Sequence, residues 1–134
     1  MIRNCAKRMK KSVVLVIADP KDPNVKVLNE CMSSLRDGTV FHLGNDVESL
    51  RDAAEEADIV VHGTFAGGKA KVIEELYPVM KKNLKWVHSL STGVDGLVPH
   101  LKNCPGDYVV SNAKGAFSSS LAYVRFSFFS FLSL

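Results

Sequence analysis

Ser12-Val13-Val14-Leu15-Val16-Ile17-Ala18 is, after its first serine, an unbroken apolar run rich in β-branched residues. A strand with one face in water alternates polar and apolar residues; a run without alternation fits a strand covered on both faces, the habit of parallel sheets. Further strand signals follow at Thr39-Val-Phe-His-Leu43, Asp58-Ile-Val-Val-His62, residues 85–90 and Tyr108-Val-Val-Ser111. Helical patterns fill the gaps. After a turn at Asp19-Pro20 through Pro23, Asn24 is placed to cap a helix whose stripe is Val25, Leu28, Cys31, Met32 and Leu35, ended by Asp37-Gly38. Asn45 or Asp46 caps the next, carrying Val47, Leu50, Ala53, Ala54 and Ala57. A third presents Val72, Ile73, Leu76, Val79 and Met80, with Pro78 bending its last turn, and a short fourth spans 97–101 before Pro105-Gly106. Strand and helix thus alternate about five times, which predicts an α/β fold: a parallel five-stranded sheet with helices on both faces.

At 134 residues the chain suits one domain. Its net charge of +3 is concentrated at the start, where residues 1–11 hold Arg3, Lys7, Arg8, Lys10 and Lys11 and no acid. From Ser12 onward acidic residues slightly outnumber basic ones, so the folded body lacks the basic surface that nucleic-acid binding requires. The arm reads as a solvated terminus, with a transit-peptide remnant as the alternative. Cys5, Cys31 and Cys104 share no metal-ligand spacing and are odd in number. Free thiols in a reducing compartment follow: the cytoplasm, with an organelle as the alternative. No metal site is expected.

Residues 12–117 form the expected domain, and 118–134 break its pattern. That stretch reads SSSLAYVRFSFFSFLSL, with Arg125 its one charge. From Phe126 it is too short for the roughly 20 apolar residues of a helical span. It is read as a truncated linker helix and aberrant apolar tail whose partner surface is absent.

Two strands empty into loops of small residues. Ile59-Val-Val-His62 runs into Gly63-Thr-Phe-Ala-Gly-Gly68, and the strand ending at Leu90 runs into Ser91-Thr-Gly-Val-Asp-Gly96. Glycine there lets backbone amides approach a ligand, and ligands of open α/β sheets bind outside the carboxyl ends of the strands. Asp95 is expected to hold its loop or cap the helix at Leu97. His42, His62, His88 and His100 are read as structural or solvated, and no catalytic residue is expected.

Residues 57–122 resemble the substrate-binding (catalytic) domain of the D-isomer-specific 2-hydroxyacid dehydrogenases, which include glyoxylate/hydroxypyruvate reductases and phosphoglycerate dehydrogenase. The matching pieces are Ala57-Asp-Ile-Val-Val61, Phe65-Ala-Gly67, Leu84-Lys-Trp-Val-His-Ser-Leu-Ser-Thr-Gly-Val-Asp95 and Val109-Val-Ser-Asn-Ala-Lys-Gly-Ala-Phe-Ser118. They stand in the family's order. The resemblance implies a flavodoxin-like domain in which Phe65, Ala66 and Gly67, with Ser91, Thr92 and Gly93, hold the carboxylate of a small 2-keto or 2-hydroxy acid. Asn112, Gly115 and Ser118 match the hinge on the cofactor side. NAD or NADP is the implied cofactor, and full-length members pair as homodimers. The departures are equally clear: there is no Gly-x-Gly-x-x-Gly, and Leu121-Ala122-Tyr123 stands where the family has Ala-Glu. The expectation is the substrate-domain portion of an NAD(P)-dependent oxidoreductase, truncated before its cofactor domain and inactive alone. The alternative is a non-catalytic flavodoxin-like module that docks on a partner or a full-length relative.

Overall fold

A computed structural model describes residues 11–35 and 38–116. The basic arm up to Lys10, Ser118, expected at the hinge, and the apolar tail lie outside the described residues.

Five parallel strands form one sheet: β1 (Ser12–Ile17), β2 (Thr39–Gly44), β3 (Ile59–His62), β4 (Trp86–Ser89) and β5 (Val109–Asn112), in the order β2-β1-β3-β4-β5. The helices between them are α1 (Val25–Ser34), α2 (Val47–Ala54), α3 (Ala70–Met80) and α4 (Val98–Leu101). The expected α/β fold is therefore what the chain adopts. β1 lies second from the edge and is paired on both sides, so its backbone groups are all met and its side chains meet helices above and below. Val14 through Ala18 are at most 4% exposed, which is why the run needs no polar residue. Each of the larger side chains, Val14 to Ile17, contributes about 1.5–3 kcal/mol of burial.

One face packs Leu15, Ile17, Val60 and Val87 against Leu50 and Ala54 of α2 and Ile73, Leu76 and Met80 of α3, with Leu97 and Cys104 completing that core. The other face packs Val14 and Val16 against Val25 and Leu28 of α1. Among the described residues, three helices cover the first face and α1 alone the second.

Some local expectations shift. Cys31 is exposed, and Leu35 is 60% exposed, because α1 meets the sheet only through Val25, Leu28 and the half-buried Met32. Asp46, not Asn45, caps α2, its carboxylate accepting from the Ser49 N–H at 2.8 Å. Asp95 is exposed and gives α4 no side-chain cap; Leu97 occupies the capping position. Pro78 leaves α3 intact to Met80. Asp58, just before β3, is buried and ties strands together: its Oδ2 accepts from Val13 N–H at 3.2 Å, and its Oδ1 accepts from Lys85 Nζ at 2.9 Å. No helix among the described residues is long and apolar enough to cross a membrane.

Candidate functional site

β3 and β4 are parallel neighbours, with Ile59 opposite Trp86 and His62 opposite Ser89, so their carboxyl ends share one edge of the sheet. The two small-residue loops therefore emerge side by side. The Leu90 N–H donates to the His62 carbonyl at 3.0 Å, continuing the ladder to the loop mouths. Two concavities lie between them. One, of about 360 Å³, is lined by Phe65, Leu90, Ser91 and Thr92. The other, of about 330 Å³, has His62, Thr64, Gly68, Lys69 and Ala70 on one wall and Gly93, Gly96, Leu97 and His100 on the other.

The first loop is built from the inside. A 3₁₀ turn, Thr64–Ala66, ends at Gly67, whose φ of +66° only glycine adopts without strain. Its carbonyls are held by side chains from distant elements. Asn24 Nδ2 donates to Phe65 O at 3.0 Å, and Asn45 Nδ2 donates to Gly67 O at 3.0 Å while its Oδ1 accepts from the Lys69 N–H at 2.8 Å. Both asparagines carry helix-capping signals in the sequence; Asn24 stands at the N-cap of α1 without a side-chain capping bond, Asn45 is not the cap of α2, and the side chain of each clamps this loop.

His62 is the loop's third anchor. Only 3% exposed, it lies with Nε2 3.0 Å from Gly68 O and Nδ1 3.2 Å from Thr64 Oγ1. A carbonyl can only accept, so the proton sits on Nε2 and Nδ1 accepts from the threonine hydroxyl. Burial pushes the imidazole below its ordinary value, with the Gly68 carbonyl acting the other way and His100 reinforcing the shift. The sign follows: below about pH 6.5 the unfolded chain takes up a proton that folded His62 refuses, so stability falls as pH drops until the folded ring protonates. Urea denaturation at pH 7.5 and 5.5 is expected to show this loss, and His62→Gln should flatten it. An unchanged slope in the variant would place the dependence elsewhere.

Of the residues expected to hold a carboxylate, Ala66 is buried and Phe65 is 44% exposed; Gly67, Thr92 and Gly93 are exposed, and Ser91 is half-buried. Their amides are not equally available. Ala66 N–H donates to Gly63 O at 3.0 Å and Gly67 N–H to Thr64 O at 3.2 Å, both inside the turn. Ser91 N–H points to Ser89 Oγ at 3.3 Å. Phe65, Thr92 and Gly93 N–H have no acceptor among the described residues. The second loop is fixed from β5: Asn112 Nδ2 donates to Thr92 O at 3.0 Å, and Ala113 N–H to Ser91 O at 3.2 Å. Of the residues expected at a hinge, Asn112 thus supports this loop, and Gly115 lies three residues on with a φ of +90°.

The charges around this edge are divided. Asp19 and Asp22 lie on the β1 side, within 3.7 Å of where a side chain on Gly67 would stand. On the other side stand Lys69, Lys71 and the amino end of α3, whose first amides point outward with partial positive charge. Lys71 pairs with Glu75 at 3.4 Å, and His100 Nδ1 lies 2.7 Å from Glu74 Oε2. The His100 ring and the Asn103 amide hold the Glu74 carboxyl below the usual carboxylate range. The 330 Å³ cavity thus lies on the side of Lys69 and the amino end of α3, away from Asp19 and Asp22. No family model matches the chain, and no curated protein or solved structure matches it.

Proposed function

We propose that this chain is the substrate-binding portion of an NAD(P)-dependent oxidoreductase that acts on the CH–OH group of small 2-hydroxy acids or reduces the matching 2-keto acids, and that it does not turn over alone. The supporting observation is the pair of neighbouring loops whose residues line one cavity bordered by Lys69 and the amino end of α3. Gly93 N–H is the donor best placed for a carboxylate there, with the α3 end supplying long-range attraction; fixed backbone dipoles offer this at little reorganisation cost.

The residues present do not fit a dinucleotide. In a sheet of this order the crevice at the switch point lies between β1 and β3, and here Asp19 and Asp22 face it beside Gly67, where they would repel a pyrophosphate. The turn Ala18-Asp-Pro-Lys-Asp-Pro23 offers no glycine-rich cradle. Hydride transfer thus needs a cofactor site supplied from outside these residues, positioned against the acid held here. Turnover of glyoxylate or hydroxypyruvate by the purified chain with either nicotinamide would overturn this part of the reading.

Binding is tested by titrating the chain with glyoxylate and following the Phe65, Gly68, Thr92 and Gly93 amides by NMR. Shifts confined to the two loops and the start of α3 are expected; no shift, or shifts spread elsewhere, would sink the proposal. Gly93→Val separates site from fold. A side chain added there meets nothing within 4 Å, so stability should change by no more than about 0.5 kcal/mol. It would crowd the cavity mouth, and the acid should bind about tenfold more weakly, a loss of about 1.4 kcal/mol.

A further inference from the structure

Two histidines, His62 and His100, line the 330 Å³ cavity between the loops, and their rings differ in what they have left to offer a ligand. His62 spends both nitrogens inside the protein, Nε2 on Gly68 O and Nδ1 on Thr64 Oγ1. His100, on α4, spends only one. Its Nδ1 lies 2.7 Å from Glu74 Oε2 of α3, and its Nε2 meets no partner among the described residues. Glu74 is itself held, since Asn103 Nδ2 donates to the other carboxylate oxygen, Oε1, at 2.8 Å. The His100 and Glu74 side chains are 32% and 33% exposed, so the pair forms part of a wall and does not swing freely in solvent.

This pairing fixes which ring nitrogen carries the proton. The two contacts hold the Glu74 carboxyl below the usual carboxylate range, so it is ionised and can only accept. In the neutral ring the proton therefore sits on Nδ1, and Nε2 is an acceptor. Because Nδ1 is taken, any contact between the ring nitrogens and a ligand in the cavity passes through Nε2. An acceptor there is matched by a hydroxyl and opposed by a carbonyl oxygen, which sets one lone pair against another. Lys69 and Lys71, which border the same cavity, only donate and serve either oxygen alike. Building on the carboxylate reading of this cavity, we propose that His100 is its specificity-determining residue: Nε2 accepts from the hydroxyl of a bound 2-hydroxy acid and so selects it over the matching 2-keto acid. Gly93 N–H meets the carboxylate and His100 the hydroxyl, while Glu74 and Asn103 act through the ring as positioning residues. Pockets of this kind owe their selectivity to a few such placed polar groups.

Lactate and pyruvate share a carbon skeleton and a carboxylate and differ at the oxygen in question, which makes them the probes. Each is titrated into the full chain by NMR at about pH 8.5, above the range in which histidine ordinarily gains its charge. Lactate should bind about fivefold more tightly than pyruvate, the size of one hydrogen bond between uncharged groups. Lactate should also move the His100 Nε2 resonance, and pyruvate should leave it in place. In H100L the affinity for lactate should fall to that for pyruvate, with the Gly93 amide still responding to both. In E74Q the side-chain amide can donate to Nδ1, which lets the ring carry its proton on Nε2, so the preference should vanish or reverse although His100 is intact. Equal affinities in the unaltered chain, or a preference that survives H100L or E74Q, would overturn the proposal and leave the carboxylate reading standing. A Gly93 amide silent to both acids would overturn the two together. Should the variants fail to fold, the unaltered chain decides: an Nε2 resonance that answers lactate alone supports the proposal, and one that answers neither acid, or both equally, refutes it.

Discussion

Gly68→Ala is expected to lower the stability of this domain by about 3–5 kcal/mol, the range reserved for changes the native structure cannot absorb. A Cβ at Gly68 would stand 2.3 Å from the Ile17 carbonyl oxygen and 2.9 Å from that of Gly63. Neither oxygen is free to retreat. Ile17 O accepts from Gly63 N–H at 2.9 Å, the step that joins β1 to β3 beyond their last paired residues. Gly63 O accepts from both Ala66 and Gly68 N–H at 3.0 Å, the bonds that shape the turn. Relief of the overlap must break one set or the other. Set against a total of about 5–15 kcal/mol for a typical domain, this corresponds to a melting point lowered by about 15 °C or more. Thermal and urea unfolding check it, with Gly93→Ala as the control that meets nothing within 4 Å. Equal losses for the two variants would mean that this loop is not held as described.

The contrast between these glycines marks what the sequence could reveal. Both loops are legible as small-residue strand ends, because strand periodicity and glycine are local signals. Which glycine carries a close backbone approach and which lies open is set by Ile17, far back along the chain, and no local pattern encodes that. The sheet was legible for the same local reason: Val13 to Ala18 can be so apolar only if helices cover both sides. The exposure of Cys31 and Leu35 was not, because a helical stripe says which side is apolar and not how much sheet lies beneath it. The exposure of Trp86 and Val109 escaped for a related reason, since it depends on counting helices per face after the strand order is known.

The asparagines show the limit most clearly. Asn24 and Asn45 each precede an apolar helical pattern, and their side chains favour capping there. Asn45 is displaced from that role by Asp46, one residue on, and its amide reaches instead across 22 residues to Gly67 and 24 to Lys69. Asn24 reaches 41 residues to Phe65. A residue type chosen for its ability to pair with backbone served in both places; only the identity of the backbone differed.

That difference makes Asn45→Ala the more telling of two otherwise similar substitutions. Asn45 is 9% exposed and uses both ends of its amide, donating to Gly67 O at 3.0 Å and accepting from Lys69 N–H at 2.8 Å. Its removal orphans a carbonyl and an N–H in a partly buried turn, so a loss of about 2–3 kcal/mol is expected. Asn24 is exposed and makes one such bond to the loop, so Asn24→Ala should cost about 0.5–1 kcal/mol. Asn45→Asp keeps an acceptor for Lys69 N–H but turns a carboxylate oxygen towards Gly67 O, and should not recover the loss. The loop itself supplies the second readout. Lys69 N–H, now bonded to Asn45 Oδ1 just ahead of α3, should exchange with solvent markedly faster in Asn45→Ala while amides of β1 keep their protection. With Gly67 and Lys69 released, Gly68 and the amino end of α3 no longer hold one geometry, so glyoxylate should lose its effect on the Gly68 amide even where the variant is fully folded. If Asn45→Ala and Asn24→Ala cost the same, or if Lys69 exchange is unchanged, the side-chain clamp is not what shapes the cavity wall, and the turn must be fixed by Gly63 and His62 alone.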